Sequence, residues 1–125
     1  FALTEPQAGS DAGAITTKAV KDAGAYVNGG QKCYITNAPE ADVFVVMART
    51  DPESAGASGI SAFIVPADTP GIEVAPWDRK LGNHGSHTAQ IFLMTAGCQK
   101  RICSAAPKVR GSRMQWPGSM SHGCM

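Results

Sequence analysis

The first thirteen residues combine hydroxyl and carboxylate side chains with small residues in a pattern that could contact a polar ligand. Their sequence, FALTEPQAGSDAG, is rich in Gly, Ala, Ser and Pro, which is typical of a loop. Small side chains let a ligand closely approach the backbone N–H groups and the hydroxyls of Thr4 and Ser10. Glu5 and Asp11 could form an acid–base pair. Six positions apart in a loop, they are better explained as turn residues that accept hydrogen bonds from backbone N–H groups.

Histidines and cysteines are the other residue types that could do chemistry, and their spacing argues against a metal site. His84 and His87 form an H-x-x-H pair with no cysteine or carboxylate at a suitable ligand spacing. A second group also fits no familiar zinc module, and it consists of Cys98, Cys103, His122 and Cys124. We therefore predict no metal, and we interpret the four cysteines as free thiols of an intracellular protein.

The composition is that of one small globular domain whose charge changes sign near residue 93. The 125 residues are 43% hydrophobic and 17% charged, an ordinary balance with enough chain for one core. No apolar run long enough to span a membrane and no signal peptide is visible, and the chain starts without Met. Residues 1–92 hold six basic and all ten acidic residues, whereas residues 93–125 hold five basic and no acidic residues. This reversal predicts a domain boundary near Leu93.

Short strands separated by turns account for most of residues 14–93. Apolar and β-branched runs bounded by turn residues predict strands over residues 14–20, 25–27, 31–36, 42–49, 59–66, 72–75 and 87–93. Asn28-Gly29 predicts a hairpin turn, because a type I′ turn requires positive φ. The almost continuously apolar run at 42–49 predicts a strand buried on both faces. With no long helical period, the pattern predicts an all-β fold, a small sandwich or open barrel of about six or seven short antiparallel strands.

The periodicity is lost after Leu93. Residues 93–125 show neither the period of a strand nor that of a helix, and they are typical of a basic, unstructured tail. A basic tail could bind nucleic acid, but its one aromatic residue, Trp116, gives little support for stacking on bases. We therefore predict no nucleic-acid binding.

Six segments in order along residues 1–92 resemble the acyl-CoA dehydrogenase family. The first, TEPQAGSD at 4–11, is similar to the family's TEPxAGSD signature. Residues 34–37, YITN, resemble its WITN strand, with Tyr34 in place of the more common Trp. The other similar segments are NGGQK at 28–32, AD with VVMART at 41–50, GISAF with TPG at 59–71, and KLG with SHTA at 80–89. This ordered set predicts the family's middle β-domain over residues 1–92.

The resemblance implies a flavoenzyme that oxidises the Cα–Cβ bond of an acyl-CoA thioester. In that reaction a base removes the α-proton while a hydride leaves the β-carbon for N5 of FAD. By resemblance, Thr4 hydrogen-bonds the pyrimidine part of the flavin, and Ser10 lies near the FAD pyrophosphate and the CoA arm of the substrate. Thr36 faces N5, and Tyr34 packs against the isoalloxazine. The implied cofactor-binding residues are Phe1, Leu3, Thr4, Gly9, Ser10, Tyr34, Ile35 and Thr36, and the implied substrate-binding residue is Ser10.

The resemblance also implies that the chemistry needs more than this chain. The family's middle domain lies between two helical domains, and the catalytic carboxylate usually lies in the C-terminal one, so we predict no catalytic residue here and an inactive fragment. The expected parent is a homotetramer that passes electrons to an electron-transfer flavoprotein. Its expected location is the cytoplasm of a bacterium or the mitochondrial matrix of a eukaryote. Two alternatives stay open: a same-fold acyl-CoA oxidase or flavin monooxygenase, and a non-catalytic β-domain with a basic partner-binding tail.

The segment after residue 92 departs from the family pattern in a way that suggests a changed reading frame. A family-like continuation would resemble FDDCRVPxENLLG, whereas the chain has LMTAGCQKRICSA from Leu93 onward. A new frame that starts at the last base of the Leu93 codon permits a continuation beginning DDCRVPKENLLGG, which stays family-like through the position of His122. We therefore hypothesise that residues 93–125 are an out-of-frame, disordered tail, which would explain its charge, its cysteines and its lost periodicity together.

Overall fold

A computed structural model describes residues 1–22 and 25–97 of the chain, and within them six strands form one sheet. The strands are β1 (Lys18–Asp22), β2 (Ala25–Thr36), β3 (Val43–Arg49), β4 (Ile60–Pro66), β5 (Ile72–Val74) and β6 (Thr88–Gly97). Three 3-10 turns lie at Ala12–Ala14, Ala38–Glu40 and Gly56–Gly59. Those described ranges contain no α-helix, and the predicted all-β class is confirmed.

The sheet has the strand order β4-β3-β1-β2-β6-β5 and curls into a half-barrel. Four neighbouring pairs are antiparallel, as predicted, whereas β1 and β3 are parallel and meet only at Lys18 and Arg49. Ala2 lies beside the rest of β3. Its N–H donates to the Val45 carbonyl at 2.7 Å, and its carbonyl accepts from the Met47 N–H at 3.0 Å. The start of the chain therefore supplies ladder hydrogen bonds that β1 does not make.

The predicted hairpin turn at Asn28-Gly29 is wrong, because β2 continues through it without a break. The register with β6 slips between Asn28 and Gly30, where β6 contains the extra residue. Gly30 has a φ of 157°, and a Cβ at this position would lie 2.4 Å from Thr17 Oγ1. Glycine in a strand marks a bulge or a close approach of two segments. Both occur here, so the glycine pattern indicates an irregular strand instead of a turn.

The core lies on one face of the sheet. Phe44 and Val46 of β3 pair with Val65 and Phe63 of β4 in register, and all four side chains are at most 1% exposed. Alternation along β3 sends every second side chain to this face. The core cluster consists of Ala2, Ala19, Ile35, Ala38, Phe44, Val46, Ala48, Phe63, Val65, Ala89, Ile91 and Leu93.

The opposite face of β3 and β4 is apolar but exposed. Val43 and Val45 are 52% and 36% exposed, and Ile64, the cross-strand partner of Val45, is 50% exposed. The prediction that residues 42–49 are buried on both faces is therefore wrong for this chain. The apolar run forms a strand, as predicted, but its alternate residues meet no covering layer among the described residues.

The last strand, β6, extends to Gly97, past the predicted strand end at residue 93. Its final residues still pair with β2, Ala96 with Asn28 and Gly97 with Val27. Residues 98–125, which include Trp116 and the three late cysteines, lie outside the described residues, so the domain division and the out-of-frame hypothesis stay predictions. The remaining cysteine, Cys33, is a free thiol and buried. No helix in the described part of the chain is long and apolar enough to cross a membrane.

Candidate functional site

The N-terminal loop, residues 1–10, lies between β3 and β2. Beyond the bonds of Ala2 to β3, the carbonyl of Thr4 accepts a hydrogen bond from the N–H of Cys33 in β2 at 2.8 Å. Glu5 and Ala8 exchange two backbone hydrogen bonds of 3.0 and 3.1 Å, which close a tight turn. These bonds bring Thr4 beside the segment of β2 that contains Tyr34, two residues that the sequence could relate only through resemblance.

Glu5 forms a buried ion pair with Lys32 of β2. Lys32 Nζ lies 2.8 Å from Glu5 Oε1, and the two side chains are 0% and 1% exposed. The Glu5 carboxylate also accepts hydrogen bonds from the N–H groups of Thr16 at 2.6 Å and Thr17 at 3.0 Å. The prediction that Glu5 binds backbone N–H groups is confirmed, although those groups precede β1 and lie outside its own turn. From the sequence, Lys32 is predicted only as part of the NGGQK motif.

The surroundings of Glu5 keep it charged. Burial alone would raise the pKa of Glu5, but the hydrogen bonds from Lys32, Thr16 and Thr17 outweigh burial and lower the pKa to about 2. Burial lowers the pKa of Lys32, and Glu5 opposes that effect. Because the carboxylate is enclosed and accepts hydrogen bonds from three segments, its role is structural. The alternative that Glu5 and Asp11 form an acid–base pair therefore has no support in the geometry.

Tyr34 has a strained backbone and an exposed ring. Its φ is 58°, at a bulge where residues 33 and 34 of β2 lie opposite one residue of β6. Such a conformation costs a bulky residue roughly 1–3 kcal/mol and is concentrated at functional sites. Lys32 and Cys33 are consecutive buried residues, so the bulge breaks the alternation and leaves the Tyr34 ring 70% exposed. Tyr34 therefore does not belong to the core.

Next to Tyr34, the end of β2 carries the hydroxyl of Thr36 and a left-handed backbone conformation at Asn37. Thr36 is exposed and pairs with Thr88 of β6. Asn37 follows with a φ of 57°, and its N–H donates to the His87 carbonyl at 2.8 Å. Ile35 is 3% exposed and packs in the core, so any contact it makes with a ligand must come from its backbone.

The remaining predicted site residues lie along the N-terminal loop. Phe1 is 62% exposed, Leu3 is half-buried, and Gly9 and Ser10 are exposed. A Cβ at Gly9 would meet nothing within 4 Å, so nothing in the described chain requires glycine there. Ser10 lies at the far end of the loop, and no hydrogen bond within residues 1–22 and 25–97 joins it to Thr36.

Asp11 and Gln7 differ in the hydrogen bonds that their side chains make. Asp11 precedes the turn Ala12–Ala14 but makes no capping hydrogen bond with its side chain, so its predicted turn-fixing role is wrong. Gln7 is not among the positive-φ residues of the described chain, and its amide donates to Glu5 Oε2 at 3.0 Å. Gln7 thus fits the loop without backbone strain and joins the polar cluster around Glu5.

A cleft lies beyond the end of β2. The Trp77 ring stacks on the His87 imidazole with centroids 4.3 Å apart and planes 21° apart, and His87 also pairs with Glu40. The cleft has a volume of about 390 Å³ and is lined by Trp77, Asp78, Arg79, Lys80, His84 and His87. Among the described residues, no group of three or more His, Cys, Asp or Glu residues could hold a metal ion, and the late Cys and His residues lie outside them.

Comparison with known proteins identifies the family. The sequence profile described as "Acyl-CoA dehydrogenase, middle domain" matches residues 1–96. The chain belongs to the acyl-CoA dehydrogenase family. It is 48% identical over 96 residues to an acyl-CoA dehydrogenase of Bacillus subtilis, a match that covers 77% of this chain and 25% of that protein. The family and the domain that the sequence motifs indicated are thereby confirmed.

Solved structures of family members share the fold. An acyl-CoA dehydrogenase from Geobacillus kaustophilus is 40% identical with a TM-score of 0.79, over 84% of this chain and 28% of that one. A glutaryl-CoA dehydrogenase from Mycobacterium smegmatis in complex with FADH2 is 36% identical with a TM-score of 0.74, over 82% of this chain and 25% of that one. The chain therefore spans about a quarter of the length of the relatives it matches.

Proposed function

We propose that the N-terminal loop and the end of β2 form one wall of an FAD site in an acyl-CoA dehydrogenase. The exposed, strained Tyr34 beside the Thr4 segment carries this proposal, because a flat ring system can stack on an aromatic side chain held at a surface. The glutaryl-CoA dehydrogenase of the same fold that contains FADH2 supports the choice of cofactor.

The residues of this wall fit a flavin. Within the described residues, the hydroxyls of Thr4 and Thr36 have no hydrogen-bond partner and remain available to the polar edge of a ring. Tyr34 is 70% exposed and can contact a ligand. The side chain of Ile35 lies in the core, so only its backbone is left to contact a ligand. The exposed Gly9 in the loop allows close approach.

Bound FAD would supply the hydride acceptor, while the chain's residues would bind and orient the cofactor. Tyr34 packs against the isoalloxazine, Thr36 hydrogen-bonds near N5, and Thr4 hydrogen-bonds the pyrimidine edge. Ser10, at the open end of the loop, interacts with the pyrophosphate and with the CoA arm of an acyl-CoA substrate. The general base that removes the α-proton belongs to another part of the whole protein, so we propose that this chain alone is inactive.

The whole protein would use this wall for α,β-desaturation of an acyl-CoA thioester. Its partners would be an electron-transfer flavoprotein, which takes up the electrons, and further copies of itself in a homotetramer. The family membership supports the reaction class. The electron acceptor and the tetramer are inferences from the resemblance to the family.

The test is a titration of the isotopically labelled 125-residue chain with FAD, followed by amide chemical shifts, which detect weak binding. We expect saturable shifts confined to residues 1–10 and 34–37, and little response to ADP, which lacks the flavin ring. Tyr34→Ala should weaken FAD binding about tenfold. The matched control is Ile64→Ala, which truncates another exposed side chain and should leave binding unchanged.

Two results would contradict the proposal. Shifts that are absent, that lie elsewhere on the sheet, or that ADP reproduces fully would exclude a flavin wall formed by these residues. Bleaching of bound flavin by an acyl-CoA with this chain alone would refute its proposed inactivity.

A further inference from the structure

We propose that Lys32 and Glu5 are positioning residues that hold the two parts of the flavin wall in a fixed register. The inference rests on the proposed function for its consequence in FAD binding, but its structural content is independent of any ligand. Neither side chain can touch a ligand, since the pair is 0% and 1% exposed. Its effect must pass through the N-terminal loop and β2.

Lys32 connects the strand to the loop on both sides of Thr4. Its Nζ donates to the carbonyl of Leu3 at 3.1 Å and to Glu5 Oε1 at 2.8 Å. Between these two points, the Thr4 carbonyl accepts the Cys33 N–H at 2.8 Å. Three consecutive loop residues are therefore bound to two consecutive strand residues, which fixes the backbone of Thr4 relative to β2.

Glu5 extends the same connection to the segment before β1. Its two carboxylate oxygens accept the N–H groups of Thr16 and Thr17, and Oε2 also accepts the Thr16 hydroxyl at 3.0 Å. The loop has few ladder bonds of its own. The directional, charge-assisted hydrogen bonds that the buried carboxylate accepts therefore position this loop, as a regular ladder positions a strand.

Lys32 also fixes where the bulge of β2 begins. The register with β6 is regular at Lys32, opposite Ile91, and is regained at Ile35, opposite Ala89. The bulge lies between these pairs and contains Tyr34. Because Lys32 is held inward by the loop, the extra residue must follow it, and Tyr34 is directed outward. One buried cation thus sets the position of both Thr4 and Tyr34.

Stability alone explains the pair poorly. Removing two charges from water costs free energy that their attraction often only offsets, and apolar residues of similar volume are frequently as stabilising. Apolar side chains make up the core cluster of this sheet. Unlike apolar side chains, an ion pair at this position holds the loop and the strand in a single geometry.

The experiment separates positioning from stability with a charge-free double variant of the 125-residue chain. Lys32→Met and Glu5→Gln leave one buried charge each and should lower the urea midpoint, whereas the double variant removes both charges and should recover most of that loss. The exchange rates of two amides then measure how firmly the loop is held: that of Ala8, and that of Cys33, whose N–H donates to the Thr4 carbonyl. The amide of Val46 in β3 is the core reference. Glu40→Gln, which removes the surface pair with His87, is the matched control.

We expect the double variant to keep protection at Val46 and to exchange at least about tenfold faster at Ala8 and Cys33, with FAD bound about tenfold more weakly. Unchanged loop exchange in a double variant of recovered stability would overturn the proposal. If the double variant does not fold, the exchange rates of Ala8 and Cys33 in Lys32→Met, compared with that of Val46, decide the same question. A wild-type chain that shows no FAD-induced shifts would refute the proposed function and leave the exchange result intact.

Discussion

Acidification should remove the contribution of Glu5 to stability over a defined pH range. In the folded chain the pKa of Glu5 is lowered from 4.5 to about 2 by the hydrogen bonds from Lys32, Thr16 and Thr17, which outweigh burial. The folded state therefore binds fewer protons than the unfolded state between these values. The contribution is complete above about pH 4.5 and is lost as the pH falls towards about 2.

The size of the effect follows from the change in pKa. One pKa unit corresponds to about 1.4 kcal/mol, so a fall from 4.5 to about 2 corresponds to about 3 kcal/mol of unfolding free energy. Breaking a buried ion pair by removing one partner costs about 3–5 kcal/mol, which is consistent with that value. Small domains have only about 5–15 kcal/mol in total, so the loss should be visible in any unfolding curve.

The assay is urea unfolding of the 125-residue chain, followed by circular dichroism at pH values from neutral to about 2. The quantity of interest is the difference in unfolding free energy between the wild type and Glu5→Gln, because other carboxylates titrate in both chains and cancel. We expect this difference to shrink by about 3 kcal/mol between about pH 4.5 and about pH 2. Glu73→Gln, at an exposed position of β5, is the matched control. A difference between wild type and Glu5→Gln that does not change with pH would refute the reasoning.

Four further predictions follow from single positions. Phe44→Ala should lower the unfolding free energy by about 3–5 kcal/mol in urea titrations, because a side chain 1% exposed leaves a cavity. Gly30→Ala should cost about 1–3 kcal/mol in the same assay, since its Cβ would lie 2.4 Å from Thr17 Oγ1 at a φ of 157°, and adding Thr17→Ala should recover part of the loss. Arg49→Met removes a guanidinium that donates to four backbone carbonyls in residues 13–15 and 54–56; limited proteolysis should cut both segments faster, and equal cutting would contradict this role. The coding DNA around Leu93 should permit the family-like alternative frame, and codons that forbid it would exclude an out-of-frame tail.

The strand predictions that succeeded depend on local patterns. The predicted strands at 42–49, 59–66 and 72–75 agree within one residue at each end with β3, β4 and β5, because alternating or apolar runs bounded by turn residues determine each strand locally. The irregular part of β2 was not predicted. A glycine pair signals unusual φ angles but does not tell whether the chain reverses or bulges, since that choice depends on the neighbouring strand.

The site was predicted in part for the same reason. Motifs identified the N-terminal loop and the Tyr34–Thr36 strand, but only the structure shows that the Cys33–Thr4 hydrogen bond brings them together. The ion pair of Lys32 and Glu5 escaped prediction because its partners are 27 positions apart on different elements. Nor does an isolated Tyr between apolar residues reveal that a bulge will expose it.

The wrong prediction for residues 42–49 is informative about the whole protein. A sheet stabilises a domain when each apolar face packs against another layer, yet Val43, Val45 and Ile64 form an exposed apolar patch on the outer face. The chain spans about a quarter of the length of its relatives. We infer that the remainder of the whole protein covers this patch, and that the apolar run encodes two interfaces of which the described residues contain one. The sequence of β3 therefore matches a strand with two buried faces more closely than it matches the environment that the described residues provide.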